Sequence, residues 1–561
     1  MRVSRSLSDG RTLVVVGDIP NDGLAEARRH LPALVGHHLR TPLTPIVGFV
    51  DPVQRRAPDY WQAAFQSSSL PRMTDRSVSR RMGVGSMGSE MWRWGAAEMA
   101  AKVRAGVVSA AEVLESCLER IDAVNGQLNA LVEVDEAASR QAAADADARL
   151  RTGEPTGPLH GVPVAVKINT DQVGAATSDG VVAFADARME ADAPVVANLR
   201  RVGAVLTGRS NSPAFSYRWF ADNDLHGRTN SPWSRDHTPG GSSGGASAAV
   251  ASGMVPLAQG NDIGGSVRYP AYACGLVGLR PTVGRVPTTF GPPDQDLSLS
   301  GQSMLVQGPL GRSVADVRLA IDAMAGFSPE DPFSVPVEPV GARMPGAPCR
   351  VGVLSSSSIA SPAKPVADAV DRAAQILEGA GHELVEVELP MVEEAYRLWY
   401  LLCMEEFGQL MPLVDEVGDE GMQLAARTYY AAAREWWGEN PDRDTYMNGY
   451  ARRGTLVAQL QQLMQHTPVV LMPVSAELPF EHDADIASVE RGLEVVRAQW
   501  SMMGIPLLGF PALSVPTGIH EGLPVGVQLL GQRFGERAIL DAGATIEAHA
   551  GALTPIDPTW N

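Results

Sequence analysis

Two serines set in glycine are the groups in this chain whose surroundings best suit covalent chemistry. Ser242 lies in Gly240-Gly241-Ser242-Ser243-Gly244-Gly245 and Ser266 in Gly264-Gly265-Ser266. Glycines on both sides let the backbone approach a ligand closely and leave N–H groups exposed to it. A flexible Gly/Ser linker would be followed by polar sequence. Here the first cluster runs instead into Ala246–Met254, a small-residue stretch that predicts a tightly packed helix, and then into the second glycine turn. A phosphate-binding loop would need a following Gly-Lys-Ser/Thr, and the one GxGxxG match, Gly83 to Gly88, follows no apolar strand. Gly240-x-Ser242-x-Gly244 has the letters of a nucleophile elbow, but the turn-like Asp236-His237-Thr238-Pro239 precedes it where that motif needs a strand. Two serines in amide-rich loops are an arrangement that nucleophilic acyl transfer could use.

A serine nucleophile needs a base, and composition points to one. Of the 46 basic residues only three are lysines: Lys102, Lys167 and Lys364. A chain this biased to arginine would place arginine wherever a permanent positive charge suffices. Lys167 ends the apolar, strand-like run Val162-Pro163-Val164-Ala165-Val166. Lysine loses its proton readily when desolvated, whereas arginine does not. Lys167 therefore reads as a general base held neutral. The competing reading is a strand-end lysine whose ammonium reaches back to water.

With these residues in place the chain resembles the amidase signature family over most of 91–561. The matching pieces are GPLHGVPVAVK (157–167), TGRSNSPAF (207–215), HGRTNSPW (226–233), TPGGSSGG (238–245), NDIGGSVR (261–268), GLVGLRPTVGRVP (275–287), GPLGRSVAD (308–316) and the tail GFPALSVPTG…GLPVGVQLLG (509–531). Their order and spacing together carry the resemblance. It implies a Ser–cis-Ser–Lys triad in which Ser266 is the nucleophile, Ser242 the bridging serine after a cis Gly241–Ser242 peptide, and Lys167 the base. It further implies an oxyanion hole from the amides of Ile263, Gly264 and Gly265, with Ser266 as a further candidate. Asp262 and Arg268 resemble a pair that braces the nucleophile loop, and Ser243 is expected to hydrogen-bond the triad. No metal or cofactor is implied.

The sequence also departs from the family pattern. Ile168 stands where an acid often follows the lysine, and its loss is expected to favour neutral Lys167. Arg209-Ser210-Asn211 and Pro213-Ala214-Phe215 replace the usual Lys-Thr-Asn and Pro-Glu-Phe. The second change speaks against the tRNA-dependent amidotransferase subunit.

The elements that must position these groups follow from patterning. Strand-like runs at Pro163–Ile168, Ala204–Gly208, Arg350–Leu354 and Glu383–Glu388 alternate with helices such as Val366–Ala380. Such alternation predicts an α/β fold, and the resemblance implies the family's mixed twisted sheet covered on both faces by helices. Ahead of it lie helices at Ala96–Ala105, at Ser109–Val124 with Ser109 and Glu112 as a capping box, and at Asp135–Thr152. Residues 1–90, with twelve arginines, no lysine and eight acidic residues, read as an extension without regular structure, except for a short helix near Asn21–Leu34. An over-long start assignment is one explanation. Residues 91–561 read as the catalytic domain.

A net charge of −18 argues against nucleic acid or an anionic membrane as partner. No apolar run reaches the length of a membrane span, and Leu13-Val14-Val15-Val16 is too short for a signal peptide. Four scattered cysteines without CxxC suit a reducing compartment, which suggests the cytoplasm. Aromatic residues concentrate between about 393 and 464, in a helical stretch holding Trp399, Tyr400, Phe407, Tyr429, Tyr430, Trp436, Trp437, Tyr446 and Tyr450. Core packing accounts for part of this cluster, and a pocket wall or lid for the remainder. The expected enzyme hydrolyses C–N acyl bonds of bulky or aryl amides, as a monomer or homodimer. Carbamates and esters are alternative substrates. The competing activities are amidotransfer and urethane hydrolysis, and the non-enzymatic alternative is a degenerate binding protein.

Overall fold

Two neighbouring strands bring the chemistry-bearing segments to one place. The computed structural model describes residues 90–289, 296–341 and 348–560, which leaves residues 1–89 and the helix expected near Asn21–Leu34 outside the described residues. Strands β1 (Leu131–Glu133), β2 (Pro163–Lys167), β3 (Val205–Ser210) and β4 (Leu257–Asp262) are followed by β5 (Val277–Arg280), β6 (Val306–Gly311), β7 (Arg350–Val353) and β8 (Glu383–Glu386). The sheet is completed by β9 (Val469–Pro473), β10 (Ala512–His520) and β11 (Leu523–Gly531), in the order β1-β3-β2-β4-β6-β5-β10-β11-β9-β7-β8. β2 pairs in parallel with both β3 and β4, and β7 with β8 and β9, while the centre of the sheet is antiparallel. The expected α/β class and mixed sheet are both present.

Burial explains why β2 reads as a continuous apolar run. All of its residues are buried, as expected for a strand covered on both faces. Next to it the helix Gly244–Ala251 is buried along its whole length. Small side chains are what allow this: a Cβ on Gly245 would sit 2.3 Å from the backbone N of Asn211 and 2.5 Å from the carbonyl of Ala130. The helix starts two residues before the expected Ala246 and ends before Met254, at a Ser252–Gly253 turn in which Gly253 adopts φ 84°.

The scaffold helices fall close to expectation. Ala110–Leu128 carries the reciprocal Ser109/Glu112 capping box and continues past Val124 to Asn129, a left-handed C-cap. The aromatic segment forms four helices, Pro390–Phe407, Met411–Val417, Glu420–Trp437 and Arg443–Met464. Glu406 ties two of them to the helix Leu299–Met304. It accepts hydrogen bonds from the Tyr446 and Tyr450 hydroxyls, both at 2.5 Å, and from the Ser300 amide at 2.8 Å.

Candidate active site

Lys167 is the last residue of β2, and Asp262 and Ile263 lie at the end of the adjacent parallel strand β4. The carboxyl ends of both strands therefore open on the same edge of the sheet, where α/β proteins commonly bind ligands. Ser242 enters from the N-terminal side of the helix Gly244–Ala251, after a cis Gly241–Ser242 peptide. Gly241 is required sterically: a Cβ there would meet the Phe220 amide N and carbonyl O, each at 2.3 Å.

The Lys167 side chain has no exposed surface, and its Nζ lies 2.6 Å from Ser242 Oγ and 2.8 Å from Asn261 Oδ1. The snorkelling alternative is thereby excluded, because the amine points into the protein. Burial disfavours the ammonium and brings its pKa down to about 7 against the pull of Asp179 and Asp262. Ile168 removes the carboxylate next in sequence, yet Asp179 supplies one through space. Asp179 is itself shifted up to about 7 by burial. It connects to the lysine through an unbroken polar chain, in which Ser216 Oγ donates to Asp179 at 2.6 Å and Asn169 Nδ2 donates to Ser216 at 2.9 Å. Asn261 Nδ2 then donates to Asn169 at 2.8 Å.

Ser242 is 1% exposed and Ser266 is 8% exposed, so Ser266 is the more accessible of the two. Ser266 Oγ makes no hydrogen bond within the described residues. The loop carrying it is held mainly by Asp262. That carboxylate accepts two bonds from Arg268, Nε at 2.9 Å and Nη2 at 3.0 Å, as well as the Gly265 amide at 3.0 Å and the Val267 amide at 3.3 Å. Arg280 Nη1 lies 3.3 Å from the same carboxylate and also donates to the Asp262 carbonyl. Burial alone would raise the Asp262 pKa, but the two guanidiniums reverse this and hold it down to about 2.

Two sequence-level assignments change. The Gly265 amide, expected to face the oxyanion, is donated to Asp262 instead. The unengaged amides of the loop, among the described residues, are those of Ile263, Gly264 and Ser266. Ser243 Oγ is buried and finds no hydrogen-bond partner among the described residues, so the bracing bonds expected of it are absent.

Several residues at the site are not singled out by sequence reasoning. Gln259 and Asn261 share one face of β4 by the strand's two-residue period, and Gln259 Oε1 accepts the Lys167 amide at 3.0 Å. Two polar side chains at alternate positions of a buried strand are the available signal. Trp219 is the other omission, and Trp399 is expected only as a member of the aromatic cluster. Their indoles donate to the carbonyls of Gly264 at 2.7 Å and Ile263 at 2.9 Å, and nothing local in the sequence points to either contact. Around them Tyr217 stacks near Phe407 and Tyr429 (ring centroids 4.5 and 5.0 Å), and Tyr429 lies 5.6 Å from Trp219.

A buried lysine beside a serine, and a second serine on a glycine loop with free amides, thus lie at one edge of the sheet. The family model described as Amidase matches residues 112–540. The chain belongs to the amidase signature family and is a serine amidohydrolase acting on amides. It is 38% identical over 474 residues to an indoleacetamide hydrolase of Bradyrhizobium diazoefficiens, covering 82% of this chain and 88% of the relative. It is 33% identical over 480 residues to a glutamyl-tRNA(Gln) amidotransferase subunit of Halorhodospira halophila, covering 80% of this chain and 95% of the relative. A bacterial aryl acylamidase structure of the same family superposes with a TM-score of 0.70 at 26% identity, covering 82% of this chain and 96% of that one.

Among the described residues no cluster of His, Cys, Asp and Glu is arranged to hold a metal ion, and no helix is long and apolar enough to cross a membrane.

Proposed function

We propose that residues 91–561 form an amidase for bulky or aryl amides, with Ser266 as nucleophile, Ser242 as proton bridge and Lys167 as base. The observation that carries this reading is the Lys167–Ser242 contact at 2.6 Å, made by an amine whose pKa burial lowers to about 7. In the first half-reaction Ser266 Oγ attacks the carbonyl carbon while its proton passes to Ser242 and the Ser242 proton passes to Lys167. The oxyanion is met by the amides of Ile263 and Gly264, with that of Ser266 beside them. Each such donor is worth roughly 3–4 kcal/mol in the transition state. The C–N bond then breaks, and the proton returns through Ser242 to the leaving nitrogen. Water, deprotonated by the same relay, attacks the acyl-enzyme carbonyl; the acid leaves and Ser266 recovers its proton.

The substrate class rests on the aromatic surroundings of the nucleophile loop, since Trp219, Tyr217, Tyr429 and Phe407 suit a flat apolar group. The indoleacetamide hydrolase and aryl acylamidase relatives, named for aryl-bearing amides, support the same choice. Residence in the cytoplasm belongs to this reading and is supported by four free cysteines, three of them buried.

The test is release of one aromatic amine from a matched anilide and carbamate, comparing wild type with Ser266→Ala. Faster turnover of the anilide, abolished in the variant, is the expected result. Preferential cleavage of the carbamate would make the enzyme a urethanase, and amine release surviving in Ser266→Ala would remove Ser266 from the mechanism.

A further inference from the structure

Two of the peptides that precede Ser266 in the nucleophile loop are held differently, and the difference singles out one tryptophan. In a trans peptide the C=O and N–H lie on opposite edges of a plane. The Gly264–Gly265 peptide has both edges occupied: its carbonyl accepts from Trp219 Nε1 at 2.7 Å and its N–H donates to Asp262 at 3.0 Å. The Ile263–Gly264 peptide has one edge occupied. Its carbonyl accepts from Trp399 Nε1 at 2.9 Å, and the Gly264 N–H on the opposite edge has no acceptor among the described residues. That N–H is thus aimed by the indole and left free for a ligand.

We propose that Trp399 is a positioning residue for the oxyanion donor of Gly264, acting through the Ile263–Gly264 peptide rather than by touching the substrate. The inference rests on the assignment of Ser266 as nucleophile. Three further observations support it. Trp399 is almost fully buried and wedged edge-on against Tyr400, with centroids 5.2 Å apart, so its indole has little freedom to leave the carbonyl. Its ring also packs on Gly264 itself: a Cβ at that glycine would lie 3.7 Å from Trp399 Cζ2 and 2.9 Å from Met503 Sδ. Finally, a hydrogen bond accepted by an amide carbonyl polarises the same amide's N–H and makes it a better donor. Trp399 belongs to the helix Pro390–Phe407, within the aromatic segment expected to shape the substrate pocket. One helix would therefore both line the pocket and aim the catalytic amide.

The experiment uses the full chain and Trp399→Phe, with Trp437→Phe as control. Trp437 Nε1 donates to the Arg397 carbonyl at 2.8 Å, so the control deletes the same kind of bond on the same helix, away from the loop. Deleting a whole oxyanion donor costs about 10²–10³ in kcat, and freeing one from its brace is expected to cost about tenfold. Trp399→Phe should lower kcat on an anilide by that amount with KM nearly unchanged. It should weaken inhibition by phenylboronic acid, whose tetrahedral adduct on Ser266 mimics the oxyanion, by the same factor. Trp437→Phe should match wild type in both.

Unchanged kcat in Trp399→Phe, or a loss carried wholly by KM, would overturn the proposal and leave Trp399 as pocket wall. Should Trp399→Phe fail to fold, replacing the indole by the isosteric benzothiophene removes only the N–H and carries the same expectations. Labelling by phenylmethylsulfonyl fluoride separates the two levels. Absence of label on Ser266 in wild type defeats the underlying assignment, whereas labelled protein with undiminished kcat in the variant defeats the positioning role alone.

Discussion

At the scale of the residue, the proposed mechanism depends on the protonation of one amine. Arginine is charged at any working pH, so Lys167→Arg keeps a cation but cannot accept the Ser242 proton. Its kcat should fall as far as that of Lys167→Ala, by about 10²–10⁴ as for loss of a general base. Near-normal turnover in Lys167→Arg would show that charge alone is needed. Because the base is the neutral form and burial places its pKa near 7, kcat/KM should rise with pH through about 7 and level off above it. Asp179 opposes that effect of burial, since its carboxylate favours the ammonium. Asp179→Asn should therefore lower the Lys167 pKa further and move the acidic limb of the profile to lower pH. Asn suits the left-handed conformation of this position (φ 46°), so backbone strain should not obscure the result. A limb that stays in place would show that Asp179 does not influence the base, and one that moves to higher pH would show an influence opposite to that of a nearby carboxylate.

Among the elements, the loop between β4 and the helix Arg268–Cys274 tolerates little change. Gly265 adopts φ 97°, and a Cβ there would sit 2.6 Å from Met502 Cβ. Gly265→Ala must displace the loop or the Met502 side chain, and loop displacements on the ångström scale can cost about 10² in rate. The expected outcome is a loss of that order in kcat/KM with the circular dichroism spectrum retained; full activity would show that the loop accommodates the methyl group. The motif pieces locate Gly265 in the sequence, but its hydrogen bond to Asp262 depends on how the loop folds back on the strand end. Strand limits differ from expectation for a similar reason. The strand expected at Ala204–Gly208 spans Val205–Ser210, because pairing with β2 carries β3 on to Ser210, opposite Lys167.

At the scale of the whole molecule, the Asp262–Arg268–Arg280 cluster joins distant parts of the chain. Arg268 reaches from its own helix to Gln528 on β11 at 2.8 Å and to the Met502 carbonyl at 2.9 Å, while Arg280 closes the cluster from β5. All three charged side chains are fully buried. Asp262→Asn leaves two guanidiniums without their counter-charge and should destabilise the fold by about 3–5 kcal/mol, read as a lowered denaturant midpoint. The low Asp262 pKa has a defined pH consequence. Its stabilisation is present above the pKa of an unfolded aspartate, near 3.8, and is lost as pH falls through about 2. A midpoint unchanged in Asp262→Asn would mean that the cluster is replaceable.

The sequence by itself determined the residue types and their local settings. The glycine-flanked serines, the rare lysine at the end of an apolar strand and the order of the motif pieces were enough for the α/β class, for the family and for the three residues to test first. Local chemistry sufficed there because glycine conformation, capping and strand burial depend on near neighbours. The tertiary structure decided what depends on separations of tens to hundreds of residues: Lys167 meets Ser242 across 75 positions, Trp399 reaches Ile263 across 136, and Asp179 replaces the carboxylate missing at Ile168. It also assigned the Gly265 amide to Asp262 and left that of Gly264 free, because the direction of a peptide N–H is set by what holds its carbonyl, and here the holder comes from another part of the chain.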